Sequence, residues 1–290
     1  YAYADFTIAE MAKKMNKPEI SKRFLRQSMN YTNLFDPETK WMRGKNEDGT
    51  FQSPFNPLKW GDAFTEGNSL HYSWSVFHDI QGLIDLMGGD LEFTDKLDSV
   101  FTMPPKFDDS YYGFTIHEIR EMQIVNMGNY AHGNQPIQHM IYLYNYAKQP
   151  WKAQNKVRDV MKKLYSATPD GYCGDEDNGQ TSAWYVFSAL GFYPVTPGVP
   201  QYVFGSPLFE KVTMNLENGN TFTINSEDNN YDSHYIESLK LNGYNYNKTW
   251  IDYNDIINGG TLNFNMTKTP NKNFGVDNSS RPFSLSYDGK

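Results

Sequence analysis

The sequence is poor in cysteine and in basic residues. Cys173 is the single cysteine among 290 residues, which excludes an internal disulfide and a zinc site built from several thiolates. Lys and Arg together number 26 against 34 Asp and Glu, so the net charge is -8. No basic run alternates with aromatic residues. A nucleic-acid-binding protein is therefore excluded, because neutralising phosphates requires clustered Lys and Arg.

Long apolar runs are also absent. No stretch reaches the roughly 18 apolar residues that a membrane-spanning helix needs. Hydrophobic residues make up 39% and charged residues 21%, a composition typical of globular proteins. Residues 1–6 (YAYADF) already have helical character. We therefore expect the chain to be the later part of a longer protein, whose start would carry any signal peptide.

Helical periodicity is concentrated in the first 200 residues. Apolar residues recur at helical spacing in five segments, which are 19–35, 76–87, 137–144, 153–165 and 182–190. The loops 36–75, 101–136 and 166–182 are longer than a compact bundle needs, and they are rich in Trp, Tyr, His and acidic residues. The pattern predicts a mainly α domain over 1–200, built as a helical toroid with functional loops.

The pattern changes after residue 201. Short alternating stretches at 211–216 and 221–224 are separated by Asn-Gly turns, of which 217–220 and 242–243 are the clearest hairpin signals. We predict a small β-rich region over 201–290, either a sandwich or a single sheet.

Two loops carry carboxylates suited to acid–base chemistry. Glu66 stands among aromatic residues, which would raise the pKa of a carboxylic acid as a general acid requires; a helix-capping glutamate is an equally good interpretation. Asp175 and Asp177 are two positions apart in a glycine-bracketed loop. If this loop is extended, both face one pocket, where one would act as a base. A solvated acidic turn is the alternative.

A third region offers possible metal ligands. His117-Glu118 followed by Glu121 resembles a zinc-protease helix, but Glu121 stands where a second histidine is needed. The segment 131–136 (AHGNQP) has amide and backbone oxygens, which suit a hard cation such as calcium.

Taken together, several motifs resemble glycoside hydrolase family 92. They are 65–69 (TEGNS), 71–74 (HYSW), 78–84 (HDIQGLI), 130–136 (YAHGNQP), 182–194 (SAWYVFSALGFYP), 205–207 (GSP) and 259–262 (GGTL). The resemblance covers essentially the whole chain, in order. It implies a bacterial, exported, calcium-dependent exo-α-mannosidase that inverts configuration and acts on mannose-containing glycans. It also implies that 1–200 is part of an (α/α)6 barrel, with an N-terminal β-sandwich and the first barrel helices outside this sequence.

Carried over position by position, the resemblance also implies roles for individual residues. Glu66 matches the general acid, Asp177 the general base and Asp175 the carboxylate that assists it. His117 and Glu118 match a pair associated with α-1,2-linked substrates. The calcium site would draw on Asn134, Gln135 and Glu121. Two other hypotheses remain open: another helical-barrel glycosidase, since fold does not fix function, and a sugar-binding protein without catalysis.

Overall fold

The computed structural model describes residues 1–288, which are mainly helical with a smaller content of strand. The α-helices, in chain order, are α1 (Ala2–Lys14), α2 (Pro18–Gln27), α3 (Ser69–Tyr72), α4 (Ile80–Met87), α5 (Asp90–Thr102), α6 (His117–Val125), α7 (Pro150–Leu164), α8 (Gln180–Leu190), α9 (Tyr253–Ile257) and α10 (Leu285–Asp288). Short 3-10 helices cover Ser28–Leu34, Gln135–Ile137, Met140–Asn145 and Asn278–Ser280. No helix within residues 1–288 is long and apolar enough to cross a membrane.

The strands are short and most of them follow α8. They are β1 (Phe35–Asp36), β2 (Trp41–Met42), β3 (Phe192–Tyr193), β4 (Gln201–Phe204), β5 (Lys211–Asn215), β6 (Thr221–Glu227), β7 (Tyr235–Leu241), β8 (Tyr244–Asn245), β9 (Trp250–Asp252) and β10 (Gly260–Thr267). The predicted succession of helices followed by a β-rich region is confirmed. Closure of the helices into an (α/α)6 toroid stays a prediction.

The chain divides into two compact units. Within the described residues, the first comprises 1–138 and 284–288, and the second comprises 139–283. The predicted boundary at 200/201 instead marks the place where helices give way to strands, and a domain boundary there stays a prediction.

In the first unit, the helices cover a core of aromatic and aliphatic side chains. Asp79 caps the start of α4, because its side chain accepts from the Gly82 N–H. Gly88 follows the last turn in the left-handed conformation, which glycine adopts easily because it has no Cβ. Its apolar face is fully buried. The segment 284–288 belongs to this unit, and Ser284 hydrogen-bonds to Asp79 at 2.9 Å.

The second unit packs two sheets with α7 and α8. The larger sheet has the strand order β5-β6-β10-β7-β8, in which β6 and β10 are parallel; the smaller has the order β3-β4-β9. Strands alternate buried and exposed residues, as in β6, so one face supplies the core. That core takes Phe222 and Phe264 from the larger sheet and Phe204 and Ile251 from the smaller.

Several predicted elements differ from the observed ones. The loop predicted over 101–136 contains α6, and the segment 137–144 forms 3-10 turns rather than an α-helix. Residues 140–144 are all buried, so no polar face was present in the sequence to define a helical period. α5 was not predicted, although Phe93, Leu97 and Val100 give it a buried face.

Candidate functional site

Glu66 lies in a tight turn over residues 61–67. The Gly61 N–H donates to the Gly67 carbonyl at 2.9 Å and closes the turn. A Cβ on Gly67 would lie 2.8 Å from the Tyr72 ring, which is closer than carbon atoms pack. A side chain at this position would therefore displace the tyrosine or the turn. Glycine is therefore required at position 67 by the close approach of the Tyr72 ring, and not by a left-handed backbone.

The backbone of Glu66 is fixed from both sides. Its φ is 50°, in the left-handed region that residues with a Cβ disfavour. The Glu66 N–H donates to the Tyr112 hydroxyl at 3.1 Å, and the Asn134 side-chain N–H donates to the Glu66 carbonyl. The Tyr72 hydroxyl donates to the neighbouring Thr65 carbonyl at 2.6 Å. These contacts hold the main chain while the Glu66 side chain stays exposed.

The apolar surrounding predicted for Glu66 is only partly present. Residues 69–72 form α3, which turns His71 and Trp74 into the core. His71 bonds the Asn129 carbonyl at 2.8 Å, and burial lowers its pKa to about 4. Phe64 stacks on Tyr72 with ring centroids 5.6 Å apart and remains near the turn. Part of the aromatic setting predicted for Glu66 is therefore absent, and its role as general acid stays a prediction.

Asp175 and Asp177 lie in the loop that precedes α8, and Glu176 anchors this loop. The Glu176 carboxylate accepts from the Ser182 hydroxyl at 2.5 Å and from the Gly179 N–H at 2.7 Å. These two hydrogen bonds lower the pKa of Glu176, since they favour the charged form. The Thr181 hydroxyl also donates to the Asp175 carbonyl at 2.9 Å. The first turn of α8 thus fixes the loop and leaves both aspartates exposed.

The two aspartates have different backbone conformations. Asp177 has a φ of 57° and begins a turn that continues through left-handed Asn178. We predicted that both side chains face one pocket because side chains two positions apart share one side of an extended loop. This alternation of sides ends at Asp177. Their roles as base and assisting carboxylate stay predictions.

His117 joins two carboxylates on the first turn of α6. Its Nδ1 lies 2.9 Å from Glu121 Oε1, and its Nε2 lies 3.3 Å from Glu118 Oε1. His117 and Glu118 are therefore in contact, and their role with α-1,2-linked substrates stays a prediction. His117 keeps 58% of its side chain exposed, so a ligand could reach it. Glu121, predicted as a calcium ligand, contacts His117.

Asn134 and Gln135 fit a calcium site in the chemistry of their donor atoms. Asn134 is buried, and because its amide nitrogen is bonded to the Glu66 carbonyl, its amide oxygen is turned away from that bond. Gln135 bonds the Gly133 carbonyl through its own amide nitrogen at 3.4 Å. Over residues 1–288, no three His, Cys, Asp or Glu side chains form a metal-binding group. A cation here would need amide and carbonyl oxygens, which are usual calcium ligands.

Three contributors to the site were missed in the sequence. Tyr72 and Tyr112 position the main chain of Glu66, and Glu176 anchors the loop of the aspartates. Tyr112 is 46 positions from Glu66, and nothing in the local sequence pairs them. Glu176 could have been found, since a carboxylate a few residues before a helix commonly binds its first N–H groups.

Similarity to known proteins agrees with the motifs. The model of the glycosyl hydrolase family 92 catalytic domain matches residues 1–268. A solved family GH92 inverting mannosidase from Bacteroides thetaiotaomicron is 49% identical, with a TM-score of 0.88 over 99% of this chain and 39% of that one. A second GH92 α-mannosidase from this bacterium, solved with mannoimidazole, is 36% identical, with a TM-score of 0.89 over 98% of this chain and 37% of that one.

A curated relative is an uncharacterized secreted glycosidase from Arthroderma benhamiae. It is 26% identical over 92% of this chain and 35% of its own length. The chain therefore spans between a third and two fifths of the proteins that it resembles. The match of 268 residues to the family model and the identity with the solved mannosidases lead to one conclusion: this chain belongs to glycosyl hydrolase family 92.

Proposed function

We propose that this chain carries the catalytic carboxylates of an inverting, calcium-dependent exo-α-mannosidase that removes terminal α-1,2-linked mannose from glycans. The proposal is supported by the family match and by the 49% identity with a solved inverting mannosidase. Since this chain spans 39% of that protein, we propose that the active enzyme is longer and includes an N-terminal β-sandwich. We also propose that it is an exported bacterial enzyme, and the curated relative is called secreted.

The observation that carries the proposal is the backbone of Glu66. Among residues 1–288, ten non-glycine residues have positive φ, and seven of them are Asn or Asp, which tolerate this region. Glu66 is not of that type, and holding it there costs roughly 1–3 kcal/mol. The hydrogen bond that the Glu66 N–H donates to Tyr112 and the one that its carbonyl accepts from Asn134 offset this cost. Strain of this kind concentrates at functional residues, where it aims a side chain.

The proposed mechanism uses the carboxylates in opposite roles. Inversion requires an acid that protonates the leaving glycosidic oxygen while a base deprotonates a water that attacks the anomeric carbon from the other face. Glu66 is the proposed acid and Asp177 the proposed base. Asp175 is the proposed second carboxylate that assists this base. The exposure of all three side chains gives water and sugar access to them.

Calcium and the α6 pair are proposed to bind the substrate. When bound, calcium would hold mannose hydroxyls and favour distortion of the sugar ring, with Asn134, Gln135 and Glu121 as proposed ligands. His117 and Glu118 would hydrogen-bond the leaving mannose. Both imidazole nitrogens of His117 face carboxylates, which orients the ring, so a sugar hydroxyl would share one of these contacts.

The decisive experiment replaces Glu66 with Gln in the full-length enzyme. This change keeps shape and removes the proton donor. Hydrolysis of mannobiose should slow by roughly 10²–10⁴-fold, the usual contribution of acid catalysis. A dinitrophenyl mannoside should lose far less activity, because its leaving group needs no proton. Equal losses on both substrates would remove Glu66 from the acid role.

Asp177→Ala is the companion variant, with Asp170→Ala as the matched control. Asp170 is an exposed aspartate in the same loop. Asp177→Ala should abolish turnover of both substrates, since water activation is needed for every leaving group, whereas Asp170→Ala should leave turnover unchanged. If Asp177→Ala keeps more than about a tenth of the wild-type kcat, the transition state has lost only ~1.4 kcal/mol of stabilisation. That result would contradict the role of Asp177 as the base. Binding of mannose without turnover by the wild type would favour a non-catalytic sugar-binding protein.

A further inference from the structure

A cavity in the unit 139–283 involves none of the residues assigned above. Its volume is about 570 Å³, within the range of small-molecule sites. One wall is α7, and another is the loop 228–234 that joins β6 to β7. The cavity therefore lies between a rigid helix and a loop, an arrangement common in ligand-binding proteins.

The loop is held in place by hydrogen bonds to α7 and within itself. The Arg158 guanidinium, on α7, donates to Asn229 Oδ1 at 2.9 Å and to the Asn230 carbonyl at 3.4 Å. The Asn230 side chain in turn accepts from the N–H groups of Asp232 and Ser233, at 3.0 and 2.9 Å. A ligand would thus meet side chains that are already ordered, which lowers the entropic cost of binding.

A second set of contacts orients the polar wall. His234 Nε2 lies 3.0 Å from Asn155 Oδ1, and His234 Nδ1 lies 3.1 Å from the Tyr231 carbonyl. The Asn155 amide nitrogen also donates to Asp159 Oδ2 at 3.4 Å. Loop and helix are therefore joined through His234 and Asn155, and the Asp159 carboxylate is fixed at the rim.

The charges that line the cavity have both signs. Arg158, Lys162 and Lys268 are cations, and Asp159 and Asp232 are carboxylates. Neither an anion nor a cation would therefore meet a lining of purely opposite charge. A neutral polyol pairs with both kinds of group, because each hydroxyl donates one hydrogen bond and accepts others.

An aromatic ring borders the same cavity. Tyr231 is 64% exposed, and the Lys162 Nζ lies 3.5 Å from its ring centroid, which fixes the ring by a cation–π contact. Aromatic rings with a polar tip suit ligands that have both apolar and wet surfaces. A sugar is such a ligand, since its C–H groups form an apolar face and its hydroxyls point outward.

We propose that this cavity is a second saccharide-binding site, which holds one or two neutral sugar residues of the same mannose-containing glycan. The identity of the glycan rests on the proposed function, whereas the neutral saccharide chemistry rests on the cavity itself. The site would retain the polymeric substrate while terminal residues are removed elsewhere.

The test is migration of the full-length enzyme through native gels that contain soluble α-mannan. Tyr231→Ala and Asp232→Asn remove the ring and one carboxylate charge, and Tyr244→Ala is the control, a 79% exposed tyrosine outside the cavity. Each cavity variant should weaken the apparent mannan affinity by about tenfold, as truncating a central contact does. Tyr244→Ala should migrate as wild type. Thermal unfolding of all four proteins establishes that they are folded, and Asp232→Asn keeps the shape of the side chain if Tyr231→Ala unfolds.

Equal retardation of wild type and cavity variants would overturn the proposal, because the mannan would then be bound only at other residues. Absence of any retardation would overturn it as well. Titration with inorganic phosphate tests whether the cavity binds anions instead. If phosphate binds and Asp232→Asn increases the phosphate affinity, the cavity is an anion site and the proposal is wrong. Hydrolysis of a small aryl mannoside should be unchanged in both cavity variants. Failure of hydrolysis in the wild type would therefore refute the proposed function without refuting the mannan site.

Discussion

Replacing Asp79 tests how far one buried carboxylate stabilises the first unit. Asp79 is fully buried and accepts hydrogen bonds from Tyr31 and Ser286 side chains at 2.7 Å each, from Ser284 at 2.9 Å, and from two backbone N–H groups. Asp79→Ala leaves these donors without a partner in the core. Each hydrogen bond to a charged group contributes roughly 1.5–3 kcal/mol, but bonds that share one acceptor are not additive.

We expect a loss of about 3–5 kcal/mol, because several buried donors lose their acceptor at roughly 1–3 kcal/mol each and these losses are not additive. For a unit of this size, each kcal/mol shifts Tm by roughly 2–4 °C, so Asp79→Ala should lower Tm by about 6–20 °C. The control is Asp85→Asn, because Asp85 is an exposed carboxylate on the same helix. Calorimetry should resolve the unfolding of the first unit, and limited proteolysis should detect release of residues 284–288.

If the free energies of unfolding of Asp79→Ala and Asp85→Asn differ by less than about 1 kcal/mol, the scatter expected of surface changes, the hydrogen bonds of Asp79 contribute little to stability. Asp79→Asn distinguishes charge from shape. It should destabilise less than Asp79→Ala, because its amide oxygen still accepts. An equal loss in the two variants would mean that the charge dominates.

Three further predictions concern the proposed enzyme and its pH dependence. A chelator should inactivate the full-length enzyme and calcium should restore it, so full activity of a metal-free preparation would exclude calcium dependence. α-1,2-Mannobiose should be cut faster than its α-1,3 and α-1,6 isomers, and His117→Ala should reduce that preference; equal wild-type rates on all three would exclude the role of the α6 pair. Burial lowers the pKa of His71 to about 4 and of His132 to about 3, both below the unfolded value of about 6.5. Their neutral forms therefore favour folding above that pH, and stability should fall as pH drops from about 6.5 towards 3. Urea unfolding at pH 7 and pH 5 should show this decrease, and His71→Gln should make it smaller.

The elements with a strong local signal were predictable from the sequence. α4 and α8 have apolar residues at helical spacing and end at Gly88 and Gly191, both left-handed. The hairpin turn at Asn242 and Gly243 was predicted from its residue types and has positive φ at both, as a tight hairpin turn requires. In these places, local chemistry and tertiary structure favour the same conformation.

The rest depended on contacts between distant residues. Glu66 was expected to stand among its aromatic neighbours in sequence, but His71 on α3 and Trp74 just after it lie in the core. Asp79 caps α4 locally, yet Ser284 and Ser286, which also bond its carboxylate, are more than 200 positions further along the chain. The motifs identified the family, whereas the conformation of each candidate carboxylate required the structure.

The link between Asp79 and the segment 284–288 also affects how the protein is made. Ser284 and Ser286 are synthesised 205 and 207 residues after Asp79, which at translation rates of ~5–20 residues per second is a delay of roughly 10–40 s. During that time α4 has been synthesised, but the donors that Ser284 and Ser286 supply to the buried Asp79 carboxylate do not yet exist. The first unit can therefore reach its final stability only after the second unit has been translated. A nascent chain halted before residue 284 should be more sensitive to protease in its first 138 residues than the released chain.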